Sequence, residues 1–499
     1  MKHGRAQSHA GVSRRCLFRS AAGGIAGAAL LAGTRHWAAA ARTGDPRPSI
    51  LLCIGDDWGW PHARALGDRV VRTPNFDRVA REGVLFPHAY CASPSCTPSR
   101  AAILTGQMFY RLEHSANLWS TLDRKFRVYP QLLEEAGYHI GLYRKGWGPG
   151  DFRAGGWTQN PAGPAFRNFE DFLRSVPDGK PFCFWWGTND PHRAYDRGSG
   201  AAAGLKASDV QLPPYFPDAP EVRNDVLDYY FEVERADREI GQLLKLLEDA
   251  GRLDNTIVVI TGDNGWPFPR GKTNLYDMGA RQPLAVRWPA GARGGRVVED
   301  FVSLCDLAPT FLEAAGLKPL PEMTARSFLD VLSGGKSGRV DPARDRVVIG
   351  RERHVGGTAR AGGTGYPMRC LRTHRYKYIR NFCPDRWPVG DPPRYADCDD
   401  GPTKTYMLQN AADPKISPMV ELCFGKRPAE ELYDMVNDPW ETRNLAADES
   451  MADVKRQLAG DLEAYLRKTG DPRVVGGAEK FDEYPYRNPA RPPATRPAL

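Results

Sequence analysis

The segment Cys96-Thr97-Pro98-Ser99-Arg100, continued by Ala101-Ala102-Ile103-Leu104-Thr105-Gly106, pairs a nucleophile with a cation at helical spacing. Pro98 suits the first turn of a helix, which puts Cys96 at the N-terminus, where free amides and the dipole favour negative charge. Arg100, one turn later, points back toward the same spot. The result is a place to hold an anion beside a nucleophile; the bland alternative for Cys96 is a structural or redox thiol. Two further pairs, Asp56-Asp57 and Asp263-Asn264, each follow an apolar run. Either pair alone is more often a cap or turn. Two of them, each closing a buried strand, favour a metal.

These groups need a scaffold that brings strand ends together. Pro48 to Gly55 is a β-rich apolar run ending in Asp56-Asp57, the pattern of a buried parallel strand. The format recurs: Tyr138 to Tyr143 leads into Lys145, Pro181 to Gly187 into Asn189-Asp190-Pro191-His192, and Thr256 to Thr261 into Asp263-Asn264. Helical patterns lie between them, at Asn75 to Glu82, Tyr129 to Ala136 and Glu221 to Ala250. Strands alternating with helices imply a doubly wound α/β sheet, whose ligands bind beyond the carboxyl ends of the strands. After about Gly335 the texture changes. Arg369 to Phe382 and Glu430 to Asp434 read as strands of a smaller sheet, separated by a Pro/Asp/Gly-rich stretch from Pro384 to Pro418, and Phe481 to Leu499 reads as an extended tail or surface wrap. The expected organisation is a leader over 1–41, a catalytic domain over 42–345, a smaller C-terminal α+β domain with an antiparallel sheet over 346–480, and a Pro/Arg-rich tail over 481–499.

Cys-x-Pro-Ser-Arg followed by Leu-Thr-Gly resembles the signature of the type I sulfatases. The resemblance extends from Ile50 to about Ala446 and implies an alkaline-phosphatase-like mixed sheet flanked by helices. In that family the cysteine is oxidised to formylglycine, whose hydrate attacks sulfur with one hydroxyl and uses the second to expel sulfate. Asp56, Asp57, Asp263 and Asn264 match the family's metal ligands, with Cys96 beside them. Four hard oxygen donors with three negative charges suit calcium and argue against zinc, which favours nitrogen and sulfur. Arg100 and Lys145 match the residues that polarise the formylglycine, and His192 and Lys272 those that bind sulfate and assist the leaving group. One position departs: many relatives carry a His two residues after the lysine, where this chain has Trp147, and His114 is the substitute the sequence offers.

The phrase Asp263 to Tyr276, containing Pro267-Phe268-Pro269, resembles the heparan N-sulfatases more than the arylsulfatases. Gly365-Tyr366-Pro367-Met368-Arg369 and Glu431-Leu432-Tyr433-Asp434 agree, and His354 matches a histidine of that branch, which implies a substrate contact, the alternative being a surface histidine in a Gly-rich loop. The implied reaction is hydrolysis of the N-sulfate of glucosamine in heparin or heparan sulfate fragments. The alternatives are an O-sulfatase on another sulfated carbohydrate, or a phosphonate or phosphate ester hydrolase of the same superfold.

The remaining sequence features concern export and partners. The formal charge of +8 loses six positive charges with Lys2, Arg5, Arg14, Arg15, Arg19 and Arg35, leaving +2 and no global footprint for nucleic acid. Those residues belong to a leader with a twin-arginine pattern, Arg14-Arg15, an Ala/Gly-rich run and Ala38-Ala39-Ala40 as a cleavage site. Bacterial twin-arginine export to the periplasm or beyond follows as an expectation, with a formylglycine-generating or maturase enzyme as the other protein partner and no membrane span in the mature chain. No Cys-x-x-Cys occurs; Cys53, Cys183 and Cys305 read as buried thiols, and Cys383 and Cys398 flank a loop they could bridge.

Overall fold

The computed structural model describes residues 45–356 and 359–488, so the twin-arginine leader and the end of the tail lie outside the described residues. The main sheet contains β1 (Ser49–Gly55), β2 (Val84–Leu85), β3 (His139–Arg144), β4 (Phe182–Gly187), β5 (Thr256–Gly262), β6 (Leu284–Arg287) and β7 (Arg296–Val297). Their order is β3-β4-β1-β5-β6-β2-β7. The first four of these neighbours run parallel. β6 is antiparallel to β5 and to β2, which makes the sheet mixed, as the resemblance implies.

β1 is buried along its whole length and pairs residue for residue with β4 and β5, Cys53 lying between Trp186 and Ile260. A strand covered on both faces must be apolar at every position, which is why its sequence shows no alternation. Its side chains nevertheless alternate in space. Ile50, Leu52 and Ile54 enter one hydrophobic cluster with Leu104 of α2 (Cys96–Thr105), Leu133 of α3 (Tyr129–Glu135) and Phe311 of α6 (Leu307–Ala314). Leu51 and Cys53 enter the other, with Val79 of α1 (Pro74–Glu82), Phe172 of α4 (Phe169–Ser175) and Val233 of α5 (Pro220–Asp249). Helices on both faces make the expected doubly wound layering. In α5, Val222, Val226, Tyr229, Val233, Ala236, Ile240, Leu244 and Leu247 are buried at steps of three and four, the stripe that seats this long helix on the sheet.

The C-terminal sheet is antiparallel, in the order β8 (Arg346–Arg351), β9 (Met368–Thr373), β10 (Tyr376–Asn381), β11 (Glu430–Asp434). The segment expected as one strand from Arg369 to Phe382 is instead a hairpin: His374 and Arg375 form the turn, and the Thr373 hydroxyl bonds the Tyr376 backbone across it. One face packs under α7 (Ala452–Thr469), with Leu458, Leu462 and Leu466 against Val348, Leu371 and Leu432. The other face, through Val347, Ile349, Cys370 and Tyr433, joins the cluster on the main sheet. Arg369, fully buried, ties the layers by ion pairs to Asp471 (2.5 Å) and Glu352 (2.7 Å). The stretch expected as a mere separator between these strands contains a helix, Pro402–Gln409. Cys383 and Cys398 are both free, so the considered bridge does not form. Residues 481–488 wrap the surface, with Phe481 buried and Arg353 donating to the Tyr484 carbonyl. No helix of the described residues is long and apolar enough to cross a membrane.

Candidate active site

The carboxyl ends of β3, β4, β1 and β5 lie side by side, so the residues that follow them form one row. Glycine at the strand ends permits this crowding: a Cβ on Gly187 would fall 1.8 Å from the Lys145 carbonyl, and one on Gly262 would fall 2.0 Å from the Trp58 carbonyl. Asp57 turns into the left-handed region (φ 69), a conformation that aspartate tolerates better than most residues. Its backbone N–H then donates to Asp263 Oδ1 at 3.0 Å, linking the two ligand-bearing ends.

α2 begins at Cys96, with Ser95 as its extended N-cap, and aims its free amides at this row. The Cys96 thiol lies 3.5 Å from Asp56 Oδ1, 3.9 Å from Asp57 Oδ1 and 3.9 Å from Asn264 Nδ2. Ligand atoms of Asp56, Asp57, Cys96 and Asp263 all fall within 4.8 Å of one another. Each carboxylate has a cation. Lys145 Nζ is 2.5 Å from Asp56, Lys272 Nζ is 2.9 Å from Asp57, and Arg100 Nε is 2.7 Å from Asp263. Arg100 also donates to the carbonyls of Lys145 (2.8 Å) and Gly146 (3.1 Å), which fixes the loop leaving β3.

The electrostatics follow from this packing. Burial would raise the Asp56 carboxyl, but Lys145, His192 and Arg100 outweigh it and hold the group well below the usual carboxylate range. Asp57 goes the other way: burial, with Asp56 and Asp399 beside it, pushes it up to about 6 against the pull of Lys272 and His192. Burial also holds the Cys96 thiol well above its usual range, with Lys145 and Lys272 pulling it down and Asp56 and Asp263 pushing it up. With His192 neutral, the formal charges are four negative on Asp56, Asp57, Asp263 and Asp399 against three positive on Arg100, Lys145 and Lys272. A divalent cation would then turn the pocket into an anion site. Asn264 Oδ1 is buried without a partner while its amide nitrogen donates to Asp57 (2.9 Å) and to Asp263. An oxygen-rich donor set with an unused amide oxygen fits a hard cation such as calcium.

His192 stands at the mouth with its side chain 36% exposed; its Nδ1 is 2.5 Å from the Arg193 carbonyl and its Nε2 is 3.8 Å from Asp57 Oδ2. His354 is buried, bonded through Nδ1 to the Ser95 hydroxyl at 2.8 Å, and burial depresses it to about 3 despite Asp397 and Asp399. It therefore braces the start of α2 as a neutral imidazole. Cys96, Arg100, Lys145, His192, Lys272, the four expected metal ligands and, behind the start of α2, His354 are thus brought together, whereas Trp147 and His114 are not. Trp147 is buried in the core, its indole N–H on the Ser115 hydroxyl at 3.3 Å. His114 does not replace a lost histidine there: its ring stacks on Tyr484 and its Nε2 pairs with the Pro485 carbonyl at 2.8 Å, in the C-terminal wrap. The sequence reading missed Asp399, which lies 3.5 Å from Lys272 and is held far below its usual range, burial being outweighed by Lys272, His192 and His354. Its one sequence signal was the acidic run Asp397 to Asp400 in a loop read only as a spacer.

The Sulfatase family matches residues 48–156 and 161–317, which carry every one of these residues except His354 and Asp399. The chain belongs to the sulfatase family. A second family, the C-terminal part of N-sulphoglucosamine sulphohydrolase, matches residues 262–392 of this sulfatase. The chain is 30% identical to human N-sulphoglucosamine sulphohydrolase over 86% of its own length and 91% of that protein. It is 28% identical to an ulvan-active sulfatase of Formosa agariphila, over 85% and 76% of the two chains. Among solved structures, a complex with its substrate D-glucosamine-2-N,6-O-disulfate superposes with a TM-score of 0.62 at 20% identity, covering 85% of this chain and 98% of that one. The phosphonate monoester hydrolase of Agrobacterium radiobacter gives 0.56 at 18% identity, covering 86% and 97%. At such identities these two establish the shared fold alone.

Proposed function

We propose that this sulfatase, exported through its twin-arginine leader, hydrolyses the N-sulfate of glucosamine in heparin-like or heparan sulfate fragments, with Cys96 oxidised to formylglycine and calcium as the metal. The observation that carries the substrate reading is the match of residues 262–392 to the C-terminal part of N-sulphoglucosamine sulphohydrolase. That segment holds Lys272, paired with Asp57 and Asp399, and His354, bonded to Ser95, so it supplies part of the wall of the pocket, and its loops are placed to choose the sugar.

Formylglycine at position 96 supplies, as its hydrate, two hydroxyls: one to attack sulfur and one to release sulfate afterwards. Asp56, Asp57, Asp263 and Asn264 would hold calcium, which would supply positive charge toward a sulfate oxygen. The chain's own groups do the rest. Arg100 and Lys145 stand over the N-terminus of α2 and stabilise negative charge on the position-96 oxygens. Lys272, held between Asp57 and Asp399, meets the sulfate from the other side. His192 is fixed through Nδ1 by the Arg193 carbonyl, leaving Nε2 to face the departing nitrogen, which needs a proton as the N–S bond breaks.

The likeness to the ulvan-active sulfatase favours a second reading, an O-sulfated glycan as substrate. Sulfate release by the purified protein from N-sulfoglucosamine and from glucosamine 6-O-sulfate separates the two. The proposal expects release from the N-sulfated sugar, and release from the O-sulfated sugar alone overturns it.

A further inference from the structure

Beside the reacting groups lies a second cavity of about 290 Å³ that the chemistry above leaves unused. It opens on the same two loops: His192 and Asp399 face the reacting centre, and their neighbours in sequence, Arg193 and Asp400, line the cavity with Tyr195, Arg197 and Asp228. The two spaces are thus lined by consecutive residues on each loop. The volume is at the small end for ligand sites and suits one sugar ring.

Its charged groups are already committed, with one exception. Arg193 forms a two-pronged ion pair with Asp225 at 2.7 and 2.8 Å. Asp228 accepts the backbone N–H groups of Gly198 and Gly200, both at 3.0 Å. Asp400 pairs with Lys404 at 2.8 Å. Arg197 is exposed and has no hydrogen bond or ion pair among the described residues. A free guanidinium on the wall of a sugar-sized cavity, next to a site that cuts sulfated glucosamine, is placed for a carboxylate or sulfate on the adjoining ring.

We infer that this cavity binds the sugar next to the one being desulfated, and that Arg197 selects a neighbour carrying an acidic substituent, a uronic acid in particular. This inference rests on the glycan reading above. The sulfatase therefore turns over a disaccharide better than the free monosaccharide.

The test is the ratio of kcat/KM for a disaccharide whose second ring is a uronic acid to kcat/KM for the corresponding sulfated monosaccharide, in wild type and in Arg197→Gln. A third substrate has a neutral second ring. The uronate disaccharide should exceed both others in wild type, and Arg197→Gln should lower its advantage about tenfold, the scale of one charged hydrogen bond. Arg197→Lys should restore part of it. Equal values for all three substrates in wild type, or an advantage untouched by Arg197→Gln, overturn the assignment. The ratio is taken on whichever sulfated glucosamine the enzyme hydrolyses. Failure of the N-sulfate reading therefore registers in the monosaccharide arm, and failure of the cavity in the ratio.

Discussion

Replacing His192 by alanine separates proton donation from sulfate binding. With Nδ1 held 2.5 Å from the Arg193 carbonyl, only Nε2 can deliver a proton, and it already faces the site, 3.8 Å from Asp57. A sulfamate leaves as an amine and needs that proton; an aryl sulfate leaves as a stabilised phenolate and does not. Loss of a general acid costs roughly 10²–10⁴ in rate. Loss of a half-exposed polar contact to sulfate costs only about tenfold, as one hydrogen bond near solvent. His192→Ala should therefore depress kcat on N-sulfoglucosamine by at least about a hundredfold and kcat on 4-nitrophenyl sulfate by about tenfold. Steady-state kinetics on both substrates, with the state of residue 96 checked by mass spectrometry in each preparation, supplies the comparison. Equal losses on the two substrates would refute the reasoning and leave His192 as a sulfate ligand, with Lys272 the remaining candidate for the acid.

Lys272→Met leaves Asp57 and Asp399 facing each other without their shared cation and should lower kcat/KM on any sulfate ester by roughly 10²–10³, a loss under tenfold contradicting its place at the sulfate. Chelation of divalent cations should abolish turnover and calcium should restore it, while Asp263→Ala should not be rescued; persistent activity in metal-free buffer would mean that these carboxylates only organise strand ends. Arg369→Met strands two buried carboxylates, Asp471 and Glu352, and should cost about 3–5 kcal/mol in urea denaturation, with a cost below about 1 kcal/mol contradicting the pairing. Asp397, buried between Arg351 and Arg360, has its pKa lowered to about 2: burial raises it, but the two arginines and His354 prevail. Its contribution of about 2 kcal/mol is complete above about pH 4 and is lost as the pH falls toward 2, so Asp397→Asn should flatten that part of the stability profile.

The strands and their terminal residues were legible because each strand buried on both faces must be a short apolar run, and the polar pair that follows it stands out. β1, β4 and β5 begin or end within a residue of their expected limits, and the row Lys145, His192, Asp56-Asp57, Asp263-Asn264 follows from strand order once the sheet is parallel. The hairpin at His374-Arg375 was hidden because its turn carries none of the glycine, proline or asparagine that usually marks one. Asp399 was hidden for a different reason: its meeting with Lys272 is made by a loop 127 positions away in sequence, fixed by packing that leaves no periodicity. His114 failed as a substitute because a histidine near the motif in sequence is not near it in space; the C-terminal wrap claims its ring.

The central claim is the chemistry at position 96. Peptide mass spectrometry of the segment containing Cys96, run on enzyme whose specific activity has been measured on N-sulfoglucosamine, tests it most directly. Activity should rise in proportion to the fraction of peptide carrying formylglycine and vanish in Cys96→Ala. Full activity in a preparation whose residue 96 is entirely unmodified cysteine would contradict the account.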